Sequence, residues 1–175
     1  MFFHSLTLAE ITIENEDRNL TEKNMFKNHI DVKLKHEKFV KKVCETNLVY
    51  ELKNEDGFAT SSSNDLEDEY GEPIGIICFW SEKALAKSCI KKGWEEYEPT
   101  EINLTEFIEN WCIGIDNDEL LVGTNFDQNM FGYEIEGYEL ILELIEELKK
   151  NNKELDFEKF VNLEGLEVQI REAMG

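Results

Sequence analysis

Between Gly93 and Leu148 the chain runs for 56 residues without a lysine or arginine while carrying 16 aspartates and glutamates. The same stretch includes the strongest amphipathic pattern in the sequence, so its acids have to point outward from elements buried on one side. Each helix there is left with a single apolar stripe. Asn103-Leu104-Thr105-Glu106 has the shape of a capping box, and Phe107, Ile108, Trp111 and Cys112 follow as one stripe, which predicts a helix over 104–113 ended by Gly114. Residues 120–125 and 131–136 read as two strands around an Asp127-Gln128-Asn129 turn. Leu140, Ile141, Leu144, Ile145 and Leu148 place a helix over 139–150.

Elsewhere the patterns are shorter. Leu6-Thr7-Leu8 and Ile11-Thr12-Ile13 alternate and predict a strand over 6–13, followed by a polar loop or short helix over 14–30. Phe39, Val40, Val43 and Cys44 form the stripe of a helix over 34–46, with Asn47 as its stop. Residues 48–52 read as a strand, 54–57 as a turn and 57–60 as the return strand. Residues 61–73, polar, acidic and closed by Pro73, predict a loop. Ile76-Ile77-Cys78-Phe79-Trp80 is a continuous apolar strand covered on both faces. Ser81 then serves as the cap of a helix over 82–92 that buries Ala84, Leu85, Cys89 and Ile90. Gly165 divides 156–173 into two short helices. Hairpin turns among interleaved helices favour an α+β fold over a doubly wound one: a single domain over 1–175, with a largely antiparallel sheet of about five strands packed with four to five helices. Residues 1–35 form an N-terminal extension, and 149–175 a C-terminal helical tail.

The 175 residues hold 39 acidic against 18 basic side chains, a formal charge of −21. Residues 1–92 contribute 13 bases and 17 acids, and 149–175 contribute 5 and 6, so the imbalance belongs to the middle of the chain. Nucleic acid is excluded as a primary ligand because phosphate binding depends on lysine and arginine, and anionic membrane surfaces are disfavoured for the same reason. The longest apolar run is five residues, Ile76 to Trp80, where a spanning helix needs about 20. No basic residue precedes the apolar start, so no secretory signal is expected and the location is cytoplasmic. Cys44, Cys78, Cys89 and Cys112 have apolar neighbours and no paired spacing, as buried reduced thiols do.

No catalytic residue set emerges. The three histidines, His4, His29 and His36, all lie in about the first fifth of the chain, and Ser81 lacks the G-x-S-x-G surround of a nucleophile elbow. Neither glycine-rich phosphate loop occurs, and no cofactor is implied. Asp65, Glu67 and Glu69 alternate like calcium-loop ligands, but the required glycine falls at 71 and Ile76 stands where a bidentate glutamate belongs. Asp116-Asn117-Asp118-Glu119 reads as a solvated turn, and His29 and His36 as surface histidines, so no metal site is expected.

Phe79-Trp80-Ser81 with Ala84, Trp94-x-x-Tyr97-x-Pro99, Phe107 with Trp111, Val122-Gly123-x-Asn125 and Gly132-x-Glu134 form an ordered series. It resembles the family known as domain of unknown function 2750, over roughly residues 36–148. The resemblance implies a compact α+β domain in a bacterial cytosol and supplies no catalytic or binding residues. Two functions are compatible with all this. In the first, a small acidic domain docks or neutralises a basic partner protein, as toxin-neutralising immunity proteins do, through Glu95, Glu96, Glu98, Glu101, Glu109, Asp116, Asp118 and Glu119. In the second, a small-molecule sensor or enzyme has a pocket near Trp80, Ser81, Trp94 and Tyr97. Solubilisation alone would explain the acids, and core packing the aromatics. The oligomeric state is not fixed by the sequence.

Overall fold

A computed structural model describes residues 8–175 apart from Lys92, with side chains described from residue 27 onward. Helix α1 spans Leu8–Thr46 and is followed by strands β1, Leu48–Asn54, and β2, Gly57–Phe58. Strands β3, Thr60–Glu67, and β4, Pro73–Trp80, lead into the short helix α2, Lys83–Ser88. Strand β5, Glu98–Asn103, feeds one continuous rod: α3, Leu104–Glu106, a π-helical segment, Phe107–Cys112, and α4, Ile113–Asn117. Strands β6, Leu121–Thr124, and β7, Tyr133–Ile135, precede α5, Gly137–Lys150, and α6, Leu163–Met174.

The fold is α+β, and its one sheet is antiparallel at every pairing except β4 with β6. Strand β1 meets β4 directly at Tyr50↔Trp80 and Glu51↔Phe79. Farther along, the two strands splay, and β2 and β3 fill the wedge, with the Ala59 amide on the Leu52 carbonyl and the Cys78 amide on that of Ala59. Strands β5 and β7 are edges, and beyond Thr60 so is β3, which pairs with β4 alone. Both faces are covered, as the apolar run 76–80 requires. On one face α1, the π-helical segment, α5 and α6 enclose Val49, Phe79, Ile102 and Val122. On the other, Leu52, Ile76, Cys78 and Trp80 pack under Ala86 and Cys89 beside Phe126.

The helix stripe of α5 is buried as its spacing requires. Its first residue, Gly137, is pressed against the rod, and a Cβ there would clash with the Cys112 carbonyl oxygen. Asn103 caps the rod by accepting the Glu106 amide hydrogen at 2.8 Å. Asn47 stops α1 at a positive φ of 58°. The α6 stripe, Leu163, Leu166 and Ile170, joins the same core as α1 and α5, so the C-terminal tail is an integral part of the domain.

Several expectations are corrected. Residues 8–13 are helical, the start of α1, because the helix-forming Glu, Lys and Leu content of 8–46 outweighs a brief alternation; residues 6 and 7 lie outside the described residues. Residues 14–30 belong to the same helix. The polar 61–73 segment is mostly strand, since the first half of β4 needs an antiparallel partner and an exposed outer strand tolerates serine and acid side chains. Strand β5 had no apolar alternation to reveal it. Helix α2 is shorter than 82–92 and turns Ala86 inward, not Ala84 or Leu85. The rod passes through Gly114 to Asn117. Gly165 sits inside the first turn of a single helix, where Asn162 caps its amide at 2.8 Å.

Candidate functional site

The aromatic group is core. Trp80 is fully buried and donates its indole N–H to the Phe126 carbonyl at 2.8 Å. Trp94 meets it edge-on, with ring centroids 6.3 Å apart, and Tyr97 lies 6.5 Å beyond Trp94. Trp80, with no exposed surface, cannot line a cleft, whereas Trp94 and Tyr97 are half-buried, Tyr97 lining a shallow depression between α2 and β5 and Ser81 a separate cavity. Ser81 does not cap α2: the cap position is Glu82, which makes no side-chain cap bond. The buried Ser81 instead donates its amide hydrogen to Asn125 Oδ1 at 2.9 Å, and the Asn125 amide donates to Ser81 Oγ at 3.1 Å. Asn125 Nδ2 also donates to the Lys35 carbonyl at 3.2 Å, tying the end of β6 to α1.

The proposed docking acids divide into separate groups. Glu95 and Glu96 sit in the turn before β5 and share a shallow depression with Lys83, Lys87 and Glu98, so their charge is partly compensated. Glu95 also accepts the Gly93 amide hydrogen at 2.7 Å. Glu101 is exposed on β5 opposite Tyr50, and Asp118 and Glu119 are exposed before β6. Two others face inward. Glu109 is buried and accepts the Lys159 amide hydrogen at 2.6 Å. Asp116 accepts the Tyr138 amide hydrogen at 2.8 Å, the anion that the first turn of α5 favours.

Strand register sorts the exposed charge. Lys53↔Glu98, Glu67↔Pro73 and Ile76↔Leu121 bring the turns 54–57, 67–73 and 118–120 to one end of the sheet, with Glu55, Asp56, Asp68, Glu69 and Glu72 exposed there. At the opposite end, past the carboxyl ends of the parallel strands β4 and β6, α1 crosses from Thr124 toward Leu48 and presents Lys35, Lys38, Lys41 and Lys42. These lysines form one wall of a cavity of about 560 Å³, with Ser81, Glu82, Leu85 and Ser88 opposite and Asn125, Phe126 and Asp127 completing it. Asp127 pairs with Lys35 at 2.7 Å and Glu45 with Lys42 at 2.9 Å. The lysine at Lys35, Lys38 and Lys42 recurs at helical spacing, a signal present in the sequence and obscured by the overall negative charge.

His36 is buried, not a surface histidine as its polar neighbours suggested. Its Nε2 lies 2.7 Å from Glu143 Oε2, its Nδ1 2.8 Å from Thr124 Oγ1, and its ring stacks on Tyr133 at 4.2 Å. Carboxylate, imidazole and hydroxyl thus stand in the order a nucleophile relay uses. Thr124 has no exposed surface, so no substrate atom can reach its hydroxyl, and the arrangement joins α1, β6 and α5. All four cysteines are buried and free; burial pushes Cys44 up to about 12 and raises Cys78, Cys89 and Cys112, which keeps the thiols protonated and unreactive. No group of three or more potential metal ligands occurs among the described residues. None of the described helices is long and apolar enough to cross a membrane.

The family model described as a protein of unknown function, DUF2750, matches residues 36–144, well over half the chain. The chain belongs to this family. No curated protein and no solved structure matches it. The DUF2750 match contains the whole sheet, the Ser81–Asn125 contact and three of the cavity lysines, while Lys35 and helix α6 lie outside it.

Proposed function

We propose that this DUF2750 protein is a binding protein that docks a basic partner protein at the acidic end of its sheet. The separation of charge along the strands supports this reading: exposed carboxylates gather around the turns 54–57, 67–73 and 118–120, and the lysines of α1 lie beyond the opposite end. Such a charge distribution attracts a cationic surface and orients it, raising the association rate more than the affinity. Glu98, Asp118 and Glu119 belong to this docking surface, and Glu109 and Asp116, spent on internal hydrogen bonds, do not. Glu95 and Glu96 flank it in the turn before β5, and Glu101 lies farther along that strand.

The test is affinity capture from a lysate of the source cell at low salt, with the recovered partner identified and its association rate measured. The partner should be basic, and its rate should fall steeply as the Debye length drops below about 10 Å. Replacing Glu69 and Glu72 together by lysine should slow association. Binding indifferent to both salt and the double replacement would overturn the reading.

A further inference from the structure

We infer that the cavity between α1 and the carboxyl ends of β4 and β6 is a binding site for a small, singly charged organic anion with an apolar body, such as an alkyl or aryl carboxylate. Its volume of about 560 Å³ falls within the roughly 300–1,000 Å³ of small-molecule sites. Its walls are chemically divided. Four lysines, Lys35, Lys38, Lys41 and Lys42, face three carboxylates, Glu45, Glu82 and Asp127. Two of the lysines are committed, Lys35 to Asp127 and Lys42 to Glu45. Lys38 and Lys41 make no ion pair among the described residues and both are exposed beside the cavity, Lys41 on the edge that it shares with a depression lined by Glu37, Glu143, Glu146 and Glu147.

One surplus positive charge selects for valence. A single carboxylate or sulfonate set between Lys38 and Lys41 neutralises it, whereas a polyphosphate would bring further negative charge against Glu45, Glu82 and Asp127 in the same space. The apolar body has its own surface: Leu85, large and 38% exposed, faces the lysine stems across the cavity. The Ser81–Asn125 hydrogen bonds hold the two strand ends that shape this cavity. This site stands at the far end of the sheet from the acidic turns and does not depend on partner docking.

The probe is 8-anilinonaphthalene-1-sulfonate, a fluorescent monoanion with an aryl body, titrated into the full-length chain and then competed with octanoate or inorganic pyrophosphate at matched ionic strength. Octanoate should displace the dye and pyrophosphate should not. Lys38→Glu with Lys41→Glu should weaken dye binding at least tenfold without lowering the thermal midpoint. Ser88→Trp, which fills the cavity and changes no charge, should weaken it comparably. Absence of a dye signal with the unaltered chain, unchanged affinity in the double replacement and the tryptophan variant, or stronger displacement by pyrophosphate than by octanoate would each overturn the inference.

Discussion

The two ends of the sheet carry charge in different ways. At the acidic end the carboxylates sit on turns held by their own local bonds: Asn54 Oδ1 accepts the amides of Asp56 and Gly57, and Asp68 Oδ1 those of Tyr70 and Glu72. At the lysine end the chain is fixed by long-range buried contacts, Ser81 with Asn125, Asn125 with Lys35, and His36 with Thr124 and Glu143. Charge on the first end can be exchanged with little structural consequence. Polar groups at the second end cannot, because each one satisfies another that has no access to water.

Asn125 is where this contrast breaks most visibly. Asn125→Ala leaves the buried Ser81 amide without an acceptor and places a Cβ-bearing residue without a polar side chain at a φ of 47°. An orphaned buried donor costs about 1–3 kcal/mol and the left-handed backbone about 1–2 more, so a loss of roughly 2–5 kcal/mol is expected in urea unfolding. Asn125→Gly should recover only the backbone share. Equal stability of the two variants would show that the backbone conformation costs nothing, and an Asn125→Gly variant as stable as the unaltered chain would show that the hydrogen bonds contribute nothing.

Glu51 lies on the strand that joins the two ends, and it sharpens the comparison by lacking what both ends have. It is buried, its Oε2 has no hydrogen-bond partner, and burial pushes its carboxyl from an ordinary 4.5 up to about 7. The folded chain therefore holds a proton that the unfolded chain has released, and stability falls as pH rises from about 4.5 through 7. The loss is on the order of 3 kcal/mol at pH 8. Glu51→Gln should remove that slope, so the variant should gain on the unaltered chain between pH 5 and 8; a stability difference that is the same at both would refute it.

The smallest effect belongs to the acidic turns. Glu69→Lys with Glu72→Lys should move stability by no more than about 0.5 kcal/mol, although the same pair is expected to slow partner association. A loss above 2 kcal/mol would mean that these acids are structural and that the two ends are alike.

How far the sequence revealed this arrangement depends on the kind of signal. Apolar periodicity located α5, the rod after Asn103, β4 and the β6–β7 pair, because burial on one stripe or on both faces leaves a repeating mark in composition. It missed β3 and β5, whose backbones pair by amide and carbonyl while their side chains face water: Ser61, Ser62, Pro99 and Thr100 have no pattern that demands a strand. Glu109 and His36 show the converse. Residue type placed them on the surface, and only packing against Lys159, Thr124 and Glu143, 50 to 107 positions away, put them inside. The acid count was legible, but its division between turns, internal bonds and strand edge was not, since that depends on register.

Lys153 reaches back to the end of α1, where its ammonium donates to the Cys44 carbonyl at 2.6 Å and the Glu45 carbonyl at 2.8 Å. Together with Leu140, Leu144 and Leu148 of α5, packed in the same core as the α1 stripe, it sets the order in which the molecule can assemble. The first helix waits for segments more than a hundred residues away before its buried face is closed. Contacts of that span slow folding, because the intervening chain must be gathered before they form. During synthesis the α1 stripe and the sheet face beneath it stay open to solvent until the α5 segment has left the ribosome. The interval before that closure is when this chain is most prone to associate with others.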